Sequence, residues 1–188
     1  MAQEQIRISS EWGEVTATLA DNTAADALLE MSSRDRNAAF MELEQALEVT
    51  APMQPTSDYE PLTWDQVRDA AQRGVIIGAH STAHVPMARE SHERQLEMAA
   101  HSKKRIEAEL GIVVRHFCYP HGRARDFDQH GIYAARAAGF DSSVAANPQG
   151  VRGPELLFAM PRLSPPQQTA DLRAKLSGLE YLRDWVGT

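Results

Sequence analysis

The chain holds a single cysteine, Cys118, among 188 residues, so no intrachain disulfide can form and a reducing compartment suits it. No apolar run approaches the ~20 residues that cross a bilayer. Nor is there an excess of positive charge. Lys and Arg number 19 against 26 Asp and Glu, a formal net charge of -7 that leaves no basic stripe for a nucleic-acid backbone. The start, Met1-Ala2-Gln3-Glu4-Gln5, has neither the basic nor the apolar segment of a secretion signal, so the expectation for the chain as given is cytoplasmic. Internal repeats and low-complexity tracts are missing too. What remains is 43% hydrophobic and 24% charged, enough to bury one sizeable core.

The punctuation alternates helices with short strands. Over Arg34 to Val49, Phe40, Leu43 and Leu47 recur at helical spacing, which predicts one packed face. The run 51–61, with three prolines and no periodicity, marks a boundary between an N-terminal segment, 1–61, and the remainder, 62–188. Thr63 then reads as an N-cap, with Gln66 completing a capping box and Leu62 and Val67 placed as a hydrophobic staple. A strand is expected over Val75 to Ala79 and a long helix from about Ser91 to Leu110, with Lys103, Lys104 and Arg105 on a solvated face. Further strands are expected over Val113 to Tyr119, Phe140 to Ala146 and Phe158 to Leu163. Strand and helix in alternation imply parallel pairing.

The most informative residues are His80-Ser81-Thr82-Ala83-His84, directly after the apolar run that ends in Gly78-Ala79. Two imidazoles four positions apart, on a helical reversal at the end of a strand, share a face and can meet one metal ion. A half-buried, hydrogen-bonded pair of histidines has the same spacing.

Four blocks in order, LTWDQVRDAAQRGVIIGAHSTAH, SKKRIEAELG, FCYPHG and AARAAGF, make Leu62 to about Leu163 resemble the second part of a polysaccharide deacetylase, the NodB-homology domain of carbohydrate esterases. The resemblance implies an α/β fold: a partial, distorted (β/α) barrel, with 1–61 as an N-terminal helical insertion. It implies a metal-dependent hydrolase that removes acetyl groups from N- or O-acetylated sugars. It assigns His80 and His84 as ligands of a divalent ion, Zn in the first instance, with Co, Ni or Mn as alternatives. A cation held by neutral imidazoles, with positions left open, lowers the pKa of bound water and polarises a carbonyl.

Other roles match unevenly. The resemblance implies that the backbone N–H of His121 takes the oxyanion position in the Tyr119-Pro120-His121-Gly122 turn, with Pro120 and Gly122 shaping it. Cys118 stands where many members carry arginine, so Arg115 or Arg162 is expected to supply that charge. Trp64 and Tyr119 are candidate walls of a sugar cleft. No histidine follows His130, leaving His121 or His116 to replace the usual late general acid.

The family's first motif, a strand ending in Asp-Asp, is absent. Asp21 is its nearest imitation and reads better as a turn or cap residue. The expectation is therefore a chain that begins inside the usual domain, weakly active or inactive, and able to self-associate through an exposed sheet edge. Two alternatives stay open: a catalytically dead carbohydrate-binding or scaffold fragment, and a hydrolase of other non-peptide C–N bonds.

Overall fold

The computed structural model describes residues 5–10, 13–18, 23–50, 60–146 and 153–162. Its centre is a small open sheet of three parallel strands in sequence order, β3 (His116–Cys118), β4 (Ser142–Ala145) and β5 (Met160–Pro161). Parallel strands need crossovers, and helices provide them. The first is α4 (His92–Leu110), leading into β3, and the second is α5 (Gln129–Ala137), between β3 and β4. A 3-10 turn, Gly153–Phe158, precedes β5.

Local signals set these elements. Ser91 caps α4, its hydroxyl accepting from the Arg94 N–H, and Gly111 ends it in the left-handed conformation at φ 65. Asp128 caps α5 by accepting from the Gly131 N–H. A β-carbon at Gly131 would lie 3.3 Å from the buried Gln95 side chain on α4, so the glycine lets the two helices approach. Between helices and sheet, Phe117, Tyr119, Phe127 and Phe140 form one aromatic core, with Tyr119 stacked on Phe127 at 4.3 Å.

Upstream lie β1 (Gln5–Ser10) and β2 (Gly13–Thr18), an antiparallel pair that the sequence reading did not anticipate, followed by α1 (Thr23–Leu29) and α2 (Ser33–Ala46). The α1–α2 unit has its own small cluster, in which Leu28 and Leu43 pack on buried Met31 and Ala39. The buried face of α2 therefore runs through Ala39 and Leu43. Phe40 and Leu47, expected on that face, are exposed. The unit is fastened to the rest through Ser33, whose N–H donates to Glu90 Oε1, and through ion pairs of Glu30 with Arg89 and Arg125.

Helix α3 (Trp64–Gln72) starts at the expected capping box, Thr63 and Gln66 bonding reciprocally. The staple does not form, because Leu62 is left 71% exposed. The expected strand 75–79 shrinks to one parallel bridge between Ala79 and Phe117, flanked by bonds from the Ala79 N–H to His116 and from the Cys118 N–H back to Ala79. Val75 and Ile76 stand exposed along this edge. Lys103, expected in solvent, is instead largely buried, donating to the Val114 carbonyl and lying 4.9 Å from the centre of the Phe140 ring. No described helix is long and apolar enough to cross a membrane.

Candidate functional site

Parallel strands end on one side of a sheet, and three segments with chemistry leave from that side here. They are the 80–84 turn after Ala79, the 119–122 turn after β3, and Arg162 after β5. The 80–84 segment is not helical, against the geometry expected from the spacing. It is an irregular turn with Ser81 at φ 69 and His84 at φ 46. The turn still gathers the two rings, whose centroids lie 4.9 Å apart, edge to face.

A third ring joins them. The imidazole of His121, in the next turn along the sheet, has its centroid 4.7 Å from that of His84. Its Nε2 is buried and has no hydrogen-bond partner. His121 also has positive φ, at 57, so three of the four non-glycine residues described in that region sit in these two turns. Such strain persists only where the surroundings fix it, and it concentrates where a site must hold a set geometry.

Chemistry follows from the nitrogen atoms. His80 Nδ1 lies 2.7 Å from the Cys118 carbonyl oxygen. A carbonyl only accepts, so Nδ1 carries the hydrogen and a neutral ring presents its Nε2 lone pair outward. Partial burial of the ring lowers the His80 pKa from its ordinary 6.5, against the raising effect of that bond. His84 is lowered as well, first by burial and then by His121, with the Arg36 guanidinium adding to it. Both rings are thus neutral donors at neutral pH. Burial pushes the Cys118 thiol up, away from thiolate.

The 119–122 turn is built tightly. The Gly122 N–H reaches back to the Pro120 carbonyl at 2.6 Å, while the Gly122 carbonyl accepts from Ala146 after β4. Gly122 has φ 74, and a β-carbon there would come within 2.7 Å of the Ala146 nitrogen, which excludes any other residue without movement of the backbone. Pro120 is fully buried beneath. The His121 N–H makes no backbone bond among the described residues.

Arg162 lies close enough to bear electrostatically on both His80 and Cys118. Arg115 does not join it: it precedes β3, at the other end of the strand, and pairs with Asp141 at 3.1 Å. His116 belongs to that far end too, its Nδ1 lying 2.9 Å from Ser142 Oγ. The Tyr119 ring is core and no cleft wall, fully buried with its hydroxyl donating to the Phe158 carbonyl. Burial holds that phenol well above its ordinary range. Trp64 packs at the start of α3, where Arg105 of α4 lies over its ring at 5.5 Å. His130 stacks on His92 between the starts of α5 and α4. Asp21 and the tail from 163 onward lie outside the described residues.

One contact at this site was not legible in the sequence. Arg36 of α2 donates from Nη2 to the Ala83 carbonyl at 3.1 Å and from Nη1 to the His84 carbonyl at 3.5 Å. No motif marks it.

A family model described as polysaccharide deacetylase matches residues 22–143, well over half of the chain. The chain belongs to the polysaccharide deacetylase family. Its α/β fold, with a small sheet that does not close among the described residues, is that of a partial deacetylase barrel. A search of curated protein sequences finds no match. Among solved structures, a deacetylase of Streptococcus pyogenes, PplD, in complex with acetate is similar at 16% identity and TM-score 0.53, over 73% of this chain and 63% of that one. A polysaccharide deacetylase from Bacillus cereus is similar at 15% identity and TM-score 0.48, over 68% of this chain and 43% of that one. At 16% identity the likeness to PplD establishes the fold alone. The chain spans less than two thirds of the length of either structure.

Among the described residues, no three His, Cys, Asp or Glu side chains are grouped so as to hold a metal ion. The cluster is one of imidazoles, with no described carboxylate completing it.

Proposed function

We propose that this deacetylase-family chain provides the histidine half and the oxyanion turn of a metal-dependent centre that removes acetyl groups from N- or O-acetylated oligo- or polysaccharides. The observation that carries the reading is the His80 tautomer. A ring whose Nδ1–H is tied to a backbone carbonyl 2.7 Å away is oriented as metal-ligating histidines commonly are, with Nε2 left to donate. The donor set fits a borderline divalent cation such as Zn. The orphaned Nε2 of His121 beside His84 also fits a site whose polar inventory is completed by something bound.

His80 and His84 would hold the ion. When bound, it would supply Lewis acidity to an acetyl carbonyl and acidity to a water. The chain's own residues then have separable tasks. The backbone N–H of His121, without a backbone partner among the described residues and set by the Pro120–Gly122 turn, meets an oxyanion. Arg162 adds positive charge near the ligands. No described carboxylate lies with the imidazoles to take a proton from water, a role typically worth ~10²–10⁴-fold in rate. Asp126 is committed elsewhere, its Oδ2 accepting from the Arg123 N–H in its own turn. With no described carboxylate beside the imidazoles, weak or no turnover is the expected outcome, and binding of an acetylated sugar without turnover is the second reading that this arrangement favours.

Acetate release from acetylated chitooligosaccharides, measured with added Zn²⁺ or Co²⁺, tests both. Metal-dependent release near background that His80→Ala abolishes supports the proposal, and sugar binding with no release supports the second reading. Robust release abolished by His80→Ala would mean that a carboxylate such as Asp21 or Asp126 serves as base. Release indifferent to metal and to His80→Ala would overturn the metal centre.

A further inference from the structure

A left-handed conformation is unfavourable for a non-glycine residue and lasts only where neighbours over-determine it. His84 and Ser81 both adopt it, in a segment with no helix or ladder of its own beyond the bridge at Ala79. The restraint comes from α2. The Arg36 guanidinium spends one nitrogen on the carbonyl just before His84 and another on the carbonyl of His84 itself. Those two oxygens belong to the peptide planes on either side of the His84 α-carbon. A planar fork across them fixes both planes, and so fixes the direction in which the imidazole leaves the chain.

The fork is delivered from a docked element. Ser33, one turn earlier on α2, donates its N–H to Glu90, and Glu30 pairs with Arg89 and Arg125, so α2 is fastened to the segment that follows His84. Arg36 has also given up solvent for this position, since its Nε is buried without a partner.

We propose that Arg36 is a positioning residue for His84, through which the N-terminal helical unit is built into the site instead of appended to it. Its effect on metal affinity rests on the reading of His84 as a ligand, while its effect on the turn does not. Two measurements are therefore paired, amide hydrogen exchange over residues 82–85 and Co²⁺ affinity from its visible absorption, in wild type, Arg36→Ala, Arg36→Lys and Arg89→Ala. The last removes a different anchor of the same unit.

Arg36→Ala should speed exchange in the turn at least ~10-fold and weaken Co²⁺ binding by about 10–100-fold, the usual range for a lost outer-shell partner. Arg36→Lys, with one point of donation in place of a fork, should fall between. Arg89→Ala leaves the Arg36 fork, the Ser33–Glu90 bond and the Glu30–Arg125 pair in place, so it should change Co²⁺ affinity less than about 3-fold. Unchanged exchange in Arg36→Ala overturns the proposal, and so does equal weakening of Co²⁺ by Arg36→Ala and Arg89→Ala, which would make Arg36 a docking contact only. If wild type binds no Co²⁺, the metal reading fails and exchange alone decides the role of Arg36. Should Arg36→Ala not fold, Arg36→Lys against wild type carries the comparison.

Discussion

The imidazoles of His80 and His84 are useful only without a proton, and their surroundings keep them that way. Burial lowers both from the ordinary value of 6.5. The consequence for stability has a definite sign. As pH falls below 6.5 the unfolded chain takes up protons that the folded chain still refuses, so the folded state loses stability; above 6.5 neither form binds them and nothing changes. The urea midpoint of the metal-free protein should therefore fall between about pH 7.5 and pH 5.5, and fall less in a His80→Ala/His84→Ala double variant. An equal fall in both proteins would assign the acid sensitivity elsewhere. At this scale the meeting of the two histidine rings was legible in their spacing. It was not legible where burial decides: Tyr119 offers the same phenol in a core as in a cleft, and only the Phe158 carbonyl and the Phe127 ring show which it is.

Turns, rather than helices or strands, hold the candidate site at the level of elements. The 119–122 turn is the most constrained of them, because Gly122 combines positive φ with a backbone nitrogen 2.7 Å from where a β-carbon would stand. Gly122→Ala should destabilise the protein by about 2–4 kcal/mol, the left-handed penalty plus displacement of the strand that follows, as read by urea denaturation. A change under about 0.5 kcal/mol would show that the turn can relax without cost. Regular elements were well marked in the sequence because caps and glycines are local signals: Thr63, Ser91 and Gly111 stand where α3 and α4 begin and end. Burial faces were less so. The face of α2 turned on Ala39 and Leu43, since a helix that lays an arginine across another segment is oriented by that contact and by Met31, not by its largest apolar residues. The 80–84 turn was read as helical from its spacing, yet it reaches the same meeting of rings through two left-handed residues that no periodicity announces.

For the whole molecule, the sheet's first edge is the weak point. Among the described residues only Ala79 bridges to β3 on that side, and Val75 and Ile76 are 55% and 78% exposed beside it. An unpaired apolar edge invites pairing with another chain. We propose self-association through it, and Ile76→Lys should lower the apparent mass in sedimentation velocity toward that of the monomer without changing the far-UV spectrum; a wild type that is already monomeric at high concentration contradicts this. The central claim, however, is that the 80–84 turn is one half of a metal centre. X-ray absorption of the protein loaded with one equivalent of Zn²⁺ and freed of excess tests it most directly. The account predicts nitrogen donors at about 2.0–2.1 Å with the scattering signature of at least two imidazoles, lost in both His80→Ala and His84→Ala. A protein that retains no zinc, or whose zinc shell is the same in those variants, would contradict it.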